Sequence, residues 1–232
     1  MSHWGEYWSH HFDLKAIENS RDTRRAVGRT KNGIPVAEGT WAKTLDYIVE
    51  LLQLSKDDDV LELCCGNGEL IGNLASRCAS ASGVDISQQM IIDLKKRHGE
   101  AVACEACDVL NYERAALSVD VILIYFSIQH FTEAEAVKLI NSSYGWLRPG
   151  GRIFVGDIPD AEKLWQYLEK SDHKKDYFRR LLASEPMVGT WFSRGMFSAL
   201  NVLLDKSDVT VIGQPVWQIN SSERFDVLIK KS

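Results

Sequence analysis

The stretch that decides the fold is Val60–Ala75, VLELCCGNGELIGNLA. Its opening, VLELC, is a short apolar run and reads as a buried strand. Gly66 and Gly68 follow. Neither carries a Cβ, so the backbone there can turn tightly and come close to a bound group. From Gly68 the run GELIGNLASRC has helical spacing. It reads as a helix opened by Glu69, whose first turn offers free N–H donors. Strand, glycine turn and helix in that order form the first unit of an α/β sheet.

The flanks extend the same alternation. Upstream, WAKTLDYIVELLQL places Leu45, Ile48, Val49 and Leu52 at helical spacing and stops at the polar SKDDD. Downstream, ASGVDIS reads as a second strand ending at Asp85. QQMIIDLKKRHG is a helix stopped by Gly99. AVACEACD is a third strand. SVDVILIYFSI is a fourth, apolar on both faces and therefore central. EAEAVKLINSSYGWL is helical, RPGG is a turn and RIFVGDI is a fifth strand. Residues 159–183 are helical and highly charged, with Pro186 as the breaker. SRGMFSALNVLL is a short helix. DVTVIGQPV and RFDVLIKK, with no helix between them, read as an antiparallel pair. There is no internal repeat. The pattern predicts an α/β three-layer sandwich with right-handed crossovers.

Composition bounds the function. The chain has 232 residues and a net charge of -5, which disfavours a nucleic-acid partner. The basic runs RDTRRAVGRTK and HKKDYFRR read as solvated faces. No apolar run is long enough to span a bilayer and the N-terminus lacks a signal pattern, so the expectation is a cytoplasmic protein with no membrane partner. The five cysteines, at 64, 65, 78, 104 and 107, are an odd number. CEAC has no second pair to complete a metal site. Adjacent Cys64 and Cys65 point to different sides of the chain. They read as small buried residues, and no metal is expected.

The turn narrows the ligand. A dinucleotide fingerprint G-x-G-x-x-G would need its third glycine at Ile71, whereas the next glycine is Gly72. Glu69 beside the turn would repel a pyrophosphate, and Glu62 lies just before it. An ammonium or sulfonium suits these acids better. Asp85, ending the second strand, can accept from ribose hydroxyls, and Asp108, ending the third, from the amine of an adenine. Acids and glycines at successive strand ends point to an adenosine site.

On VLELCCGNGEL, GVDIS, ACDVL, VDVILIYFSIQHF and LRPGGRIFVGD, in that order from Val60 to Asp157, the chain resembles the class I S-adenosylmethionine-dependent methyltransferases. The resemblance implies a Rossmann-like, seven-stranded, mostly parallel sheet with an antiparallel last strand. It implies S-adenosylmethionine as cofactor and S-adenosylhomocysteine as product. It places Glu62 and the backbone of Cys64, Gly66 and Gly68 at the methionine half and Asp85 at the ribose. Ile86 and Met90 fall near the adenine, with Asp108 and Val109 at its edge. Tyr125 falls near the amino-acid end or the transferred methyl. Glu69 and the double cysteine depart from the family's commoner turn.

The expected organisation is a single domain over 1–232, with an N-terminal arm or lid at 1–45 and a substrate-side helical insertion at 159–200. In the arm, Tyr7 and Trp41 are taken as cofactor contacts, by stacking or cation–π attraction, while Trp4 and Trp8 read as covering apolar surface. The insertion brings Trp165, Trp191, Phe192 and Arg194 as candidate substrate walls. His130, just past the fourth strand, is the candidate general base, since an ordinary histidine titrates near neutrality; packing is its other reading. Gln129 is a possible contact. His3, His10 and His11 reach the site only if the arm folds over it. YFSIQHF lacks the Asn/Asp-Pro-Pro-aromatic signature of amide and base methylation, which points to a small-molecule acceptor methylated on oxygen or nitrogen. A catalytically silent cofactor-binding scaffold and a nicotinamide-dependent oxidoreductase remain the alternatives.

Overall fold

The computed structural model describes residues 5–31, 33–185 and 189–232; His3, Trp4 and Pro186 lie outside them. The chain opens with α1 (Gly5–Glu18), α2 (Thr23–Ala26), the small pair β1 (Thr30–Lys31) and β2 (Ile34–Pro35), and α3 (Glu38–Leu52). The alternating body follows: β3 (Asp59–Leu63), α4 (Ile71–Leu74), β4 (Ser80–Asp85), α5 (Gln88–His98), β5 (Ala103–Ala106), β6 (Val119–Tyr125), α6 (Glu133–Trp146) and β7 (Leu147–Pro159). The insertion carries α7 (Leu164–Tyr167), α8 (Ser171–Leu182) and α9 (Arg194–Ser198). Strands β8 (Ser207–Gly213) and β9 (Arg224–Lys231) close the chain.

Seven strands form one sheet in the order β5-β4-β3-β6-β7-β9-β8. β9 alone runs antiparallel to its neighbours β7 and β8. Side chains alternate along each strand, so the sheet buries two faces. Leu61, Leu63, Ile122 and Ile124 face one core with Leu139, Ile140 and Trp146 of α6. Val60, Val121 and Leu123 face the other, with Trp41, Leu45, Ile48 and Leu52 of α3 and Ile91 and Leu94 of α5. Polar signals fix the helix ends. Ser87 Oγ accepts from Met90 N at the start of α5, and Thr132 with Glu135 forms a capping box at α6. Such caps each contribute about 1 kcal/mol.

Chain order reverses between β3 and β6, so a crevice opens beyond their carboxyl ends. At the opposite ends of these strands Arg148 Nη1 ties Asp59 and Asp120 together, at 2.9 and 2.5 Å. The sheet is thus held at one end and left open for a ligand at the other.

Candidate active site

The turn after β3 is built from three residues at positive φ: Cys64 (59°), Gly66 (53°) and Gly68 (77°). Cys64 carries the cost of a side chain there, on the order of 1 kcal/mol. Gly66 N donates to Asp85 Oδ2 at 2.7 Å and Ser87 N to Asp85 Oδ1 at 2.9 Å. Burial pushes the Asp85 carboxyl up to about 6, against those two donors. Glu62 is fully buried and accepts from Ile71 N at 2.9 Å. Burial raises its carboxyl to about 8, with Arg29 opposing the rise.

Two expectations change here. The helix after the turn starts at Ile71 and lasts only to Leu74, followed by a single 3-10 turn at Ala75–Arg77. The chain from Gly66 to Leu70 is used up in turning, and Glu62 caps the first free N–H. Glu69 therefore does not open a helix beside the ligand. It is buried and holds two cations, Arg24 Nε at 3.1 Å and Arg97 Nη2 at 2.9 Å. Its charge clamps the arm to α5. Gly68 is also needed for packing, since a Cβ there would meet Leu94 Cγ at 2.8 Å.

The arm lies over the crevice. Asp13 Oδ1 accepts from Ser87 Oγ and Gln89 N, at 2.5 and 3.1 Å. Val27 packs so closely on the turn that a Cβ on Gly66 would sit 2.8 Å from its Cγ1. Arg29, in a run whose spacing suggests only a solvated face, is 92% buried, being 8% exposed. Its guanidinium stacks over Trp41 at 4.6 Å and Tyr125 at 4.5 Å. Its Nε has no hydrogen-bond partner. Periodicity cannot reveal this residue, because only the fold of the arm onto the end of β6 gives it a setting.

Two small cavities, each of about 50 Å³, fill the crevice. One is lined by Arg29, Cys64, Gly66, Asp85, Met90, Tyr125 and Ser127, among others. The second is lined by Ile86, Asp108, Val109 and Trp8, among others. Phe12, Cys64, Asp85 and His130 line both. Most of the residues expected from sequence therefore meet here. Glu62 sits beneath the turn and Trp41 behind Tyr125, with ring centroids 6.3 Å apart. Tyr7 stands further out, 44% exposed. Trp8, expected only to cover surface, lies closer, its ring 4.2 Å from that of His130.

His130 is enclosed by Trp8 and Phe12, and its Nδ1 lacks a partner. Burial first, then His11 and Arg224, bring its pKa down to about 3. In this setting it is a neutral acceptor of hydrogen bonds. Outside it, a cleft of about 400 Å³ runs past Tyr7, His11, Phe126, Gln129, Arg224 and Trp191. Trp191 thus lines it, whereas Phe192 is wholly buried and Arg194 is held by Asp160 at 2.7 Å. The five cysteines are free, and no metal-binding group occurs among the described residues.

The unpartnered atoms test whether an adenosyl sulfonium amino acid fits. Arg29 Nε, Ser127 Oγ and His130 Nδ1 are buried and unsatisfied at the crevice. Beside them stand carboxyls for ribose hydroxyls and an ammonium. This donor and acceptor set suits a zwitterion joined to a nucleoside. A family model described as a methyltransferase domain matches residues 60–151, the span of turn, crevice and central strands. Over that span the chain matches a methyltransferase domain, and its fold is that of the class I S-adenosylmethionine-dependent methyltransferases.

Several known proteins are similar to this chain in sequence or in fold. A ubiquinone biosynthesis O-methyltransferase of Coxiella burnetii is 27% identical over 175 residues, 68% of this chain and 70% of that protein. A biotin biosynthesis bifunctional protein of Cellvibrio japonicus is 27% identical over 173 residues, 72% of this chain but 33% of that longer protein. Among solved structures, phosphoethanolamine N-methyltransferase 1 of Haemonchus contortus superposes with a TM-score of 0.70 at 16% identity, over 99% of this chain and 49% of its own. Among the described residues, no helix is long and apolar enough to cross a membrane.

Proposed function

We propose that this chain transfers a methyl group from S-adenosylmethionine to an oxygen or nitrogen of a small-molecule acceptor held in the outer cleft. The observation that carries the reading is the meeting of inner and outer spaces at His130, which lines the adenosyl-type cavities and the outer cleft alike. When bound, the cofactor supplies a methyl made electrophilic by its sulfonium. The chain holds it: Asp85 at the ribose hydroxyls, Asp108 and Val109 at the adenine, Glu62 beneath an ammonium and Arg29 at a carboxylate. A charged bidentate pair of the last kind is among the stronger contacts available. Tyr125 closes the amino-acid end.

The acceptor's side is aromatic, with Tyr7, Trp8 and Trp191 as walls. Positioning and exclusion of water supply much of the rate in such a displacement. His130 Nδ1 accepts a hydrogen bond from the attacking hydroxyl or amine and orients its lone pair, and the proton released on methyl transfer passes to water in the outer cleft. The relative from Coxiella burnetii is named as an O-methyltransferase, which favours oxygen. The inner cavities fall below the ~300–1,000 Å³ of small-molecule sites, so Phe12 and Trp8 swing outward to admit the cofactor. The test is release of S-adenosylhomocysteine with a panel of phenolic, carboxylic and amine acceptors. Turnover lost on Asp85→Ala supports the reading. Tight cofactor binding with no turnover of any acceptor would leave the silent scaffold in its place.

A further inference from the structure

The insertion between β7 and β8 exposes what a folded chain normally hides. No residue of α7 or α8 is buried. Trp165, Phe178, Leu181 and Leu182 are 48, 49, 55 and 88% exposed. Trp165 stacks on Phe178, with ring centroids 5.7 Å apart. Residues three and four apart share a side of a helix, so Lys174 lies with Phe178, Leu181 and Leu182. Lys170 precedes them, and Lys175, 77% exposed in its side chain, flanks them and pairs with Asp172 at 3.8 Å. Arg179 and Arg180 are bound to Asp176. The adjoining side of the helix, with His173, Asp176, Tyr177 and Arg180, lines a cleft of about 540 Å³.

We propose that α8, with Trp165, rests on the surface of an anionic lipid bilayer, and that the cleft beside it receives an acceptor carried in that bilayer. A short helix that shows phenylalanine and leucines on one side, with a tryptophan of the preceding helix stacked against them and lysines among and beside them, has the makeup of an interfacial helix. The lysines can lay their stems along the apolar surface and keep their charges at the headgroups. They stand out from a chain that is net acidic, so the attraction is local to this face. A protein partner needs about 800 Å² on each side of a stable interface, whereas α8 is 12 residues and about 18 Å long. The cleft under α8 shares Tyr167, Arg180, Trp191 and Glu223 with the outer cleft at His130. A path therefore leads from the helix to the reacting centre. The lipid-borne acceptor rests on the function proposed above; attachment to the bilayer does not.

The experiment is co-sedimentation of the full chain with vesicles of phosphatidylcholine, alone or with equal parts of phosphatidylglycerol. Binding to the anionic vesicles is expected to exceed binding to the neutral ones by about 25-fold, since Lys170 and Lys174 near such a surface each add about fivefold. Phe178→Glu with Leu182→Glu removes it, and Lys174→Glu weakens it. Both variants keep the thermal shift with S-adenosylhomocysteine, which separates loss of the surface from loss of fold. Equal sedimentation with and without phosphatidylglycerol overturns the proposal. So does unchanged binding by the double variant, or capture of an acidic carrier protein by α8 in place of vesicles. Vesicle binding without acceptor turnover would reject the proposed reaction and leave the surface standing.

Discussion

Glu62 and Asp85 are carboxyls kept from water by a turn that needs both. Their pKa values in the folded chain, about 8 and about 6, lie above the ordinary range because burial penalises the charged form. Asp226, buried beside Asp157, is raised in the same way to about 6. A carboxyl raised on folding stabilises the fold fully below its unfolded pKa, near 4. That contribution is lost as pH rises through the folded value. The free protein is therefore expected to lose stability between about pH 5 and 8.5, read as a falling urea midpoint. Glu62→Gln keeps an acceptor for Ile71 N without the charge. It should flatten that slope and gain about 1–3 kcal/mol over wild type near pH 8.5; a slope as steep as wild type would mean Glu62 is not the group responsible. Asp85→Ala should weaken S-adenosylhomocysteine by about ten- to a hundredfold in calorimetry, the value of a hydrogen bond to a charged group. His130, held near 3, contributes no limb to the pH–rate profile between about pH 5 and 8. A limb in that range that vanishes in His130→Gln would restore it as a base. Asp85 and Gly66 could be read from sequence because strand ends and glycine turns are local signals. Arg29 could not: nothing in RDTRRAVGRTK distinguishes a guanidinium bound for an aromatic slot from its solvated neighbours.

At the scale of elements, the arm and the turn hold each other. Val27 fills the space over Gly66, and Glu69 joins Arg24 of the arm to Arg97 of α5. Gly66→Ala places a Cβ against Val27 at a φ of 53°. It should cost about 1–3 kcal/mol, seen as a lower Tm. An unchanged Tm would show that the arm yields freely. Glu69→Gln removes the charge that both arginines share, so amide exchange in residues 5–26 should quicken while α6 stays protected. Equal exchange in the two proteins would contradict the clamp. The long helices α3, α5 and α6 were legible because their apolar spacing and caps agree. The short α4 was not. GELIGNLASRC has helical periodicity, but Glu62, nine residues earlier, decides where the helix begins. The burial of Glu69 is equally long-range, set by arginines 45 and 28 positions away.

The whole molecule follows from alternation. Strand and helix in turn through Pro159, then two strands without a helix, lead to the observed sheet with β9 antiparallel. The reversal beside β3 then sets the crevice where the glycine turn already stands. What alternation leaves open is how the arm lies across it, since that depends on side chains meeting from three separate segments. The central claim is that this crevice binds an adenosyl sulfonium amino acid. Its most direct test is thermal unfolding with S-adenosylhomocysteine, S-adenosylmethionine or NADH in large excess. At about a hundred times its dissociation constant a ligand stabilises by roughly 2.7 kcal/mol, a rise of about 5–10 °C for a chain of this size. The account predicts that rise with both adenosyl ligands and none with NADH. A rise with NADH alone, or no response to either adenosyl ligand, would contradict it.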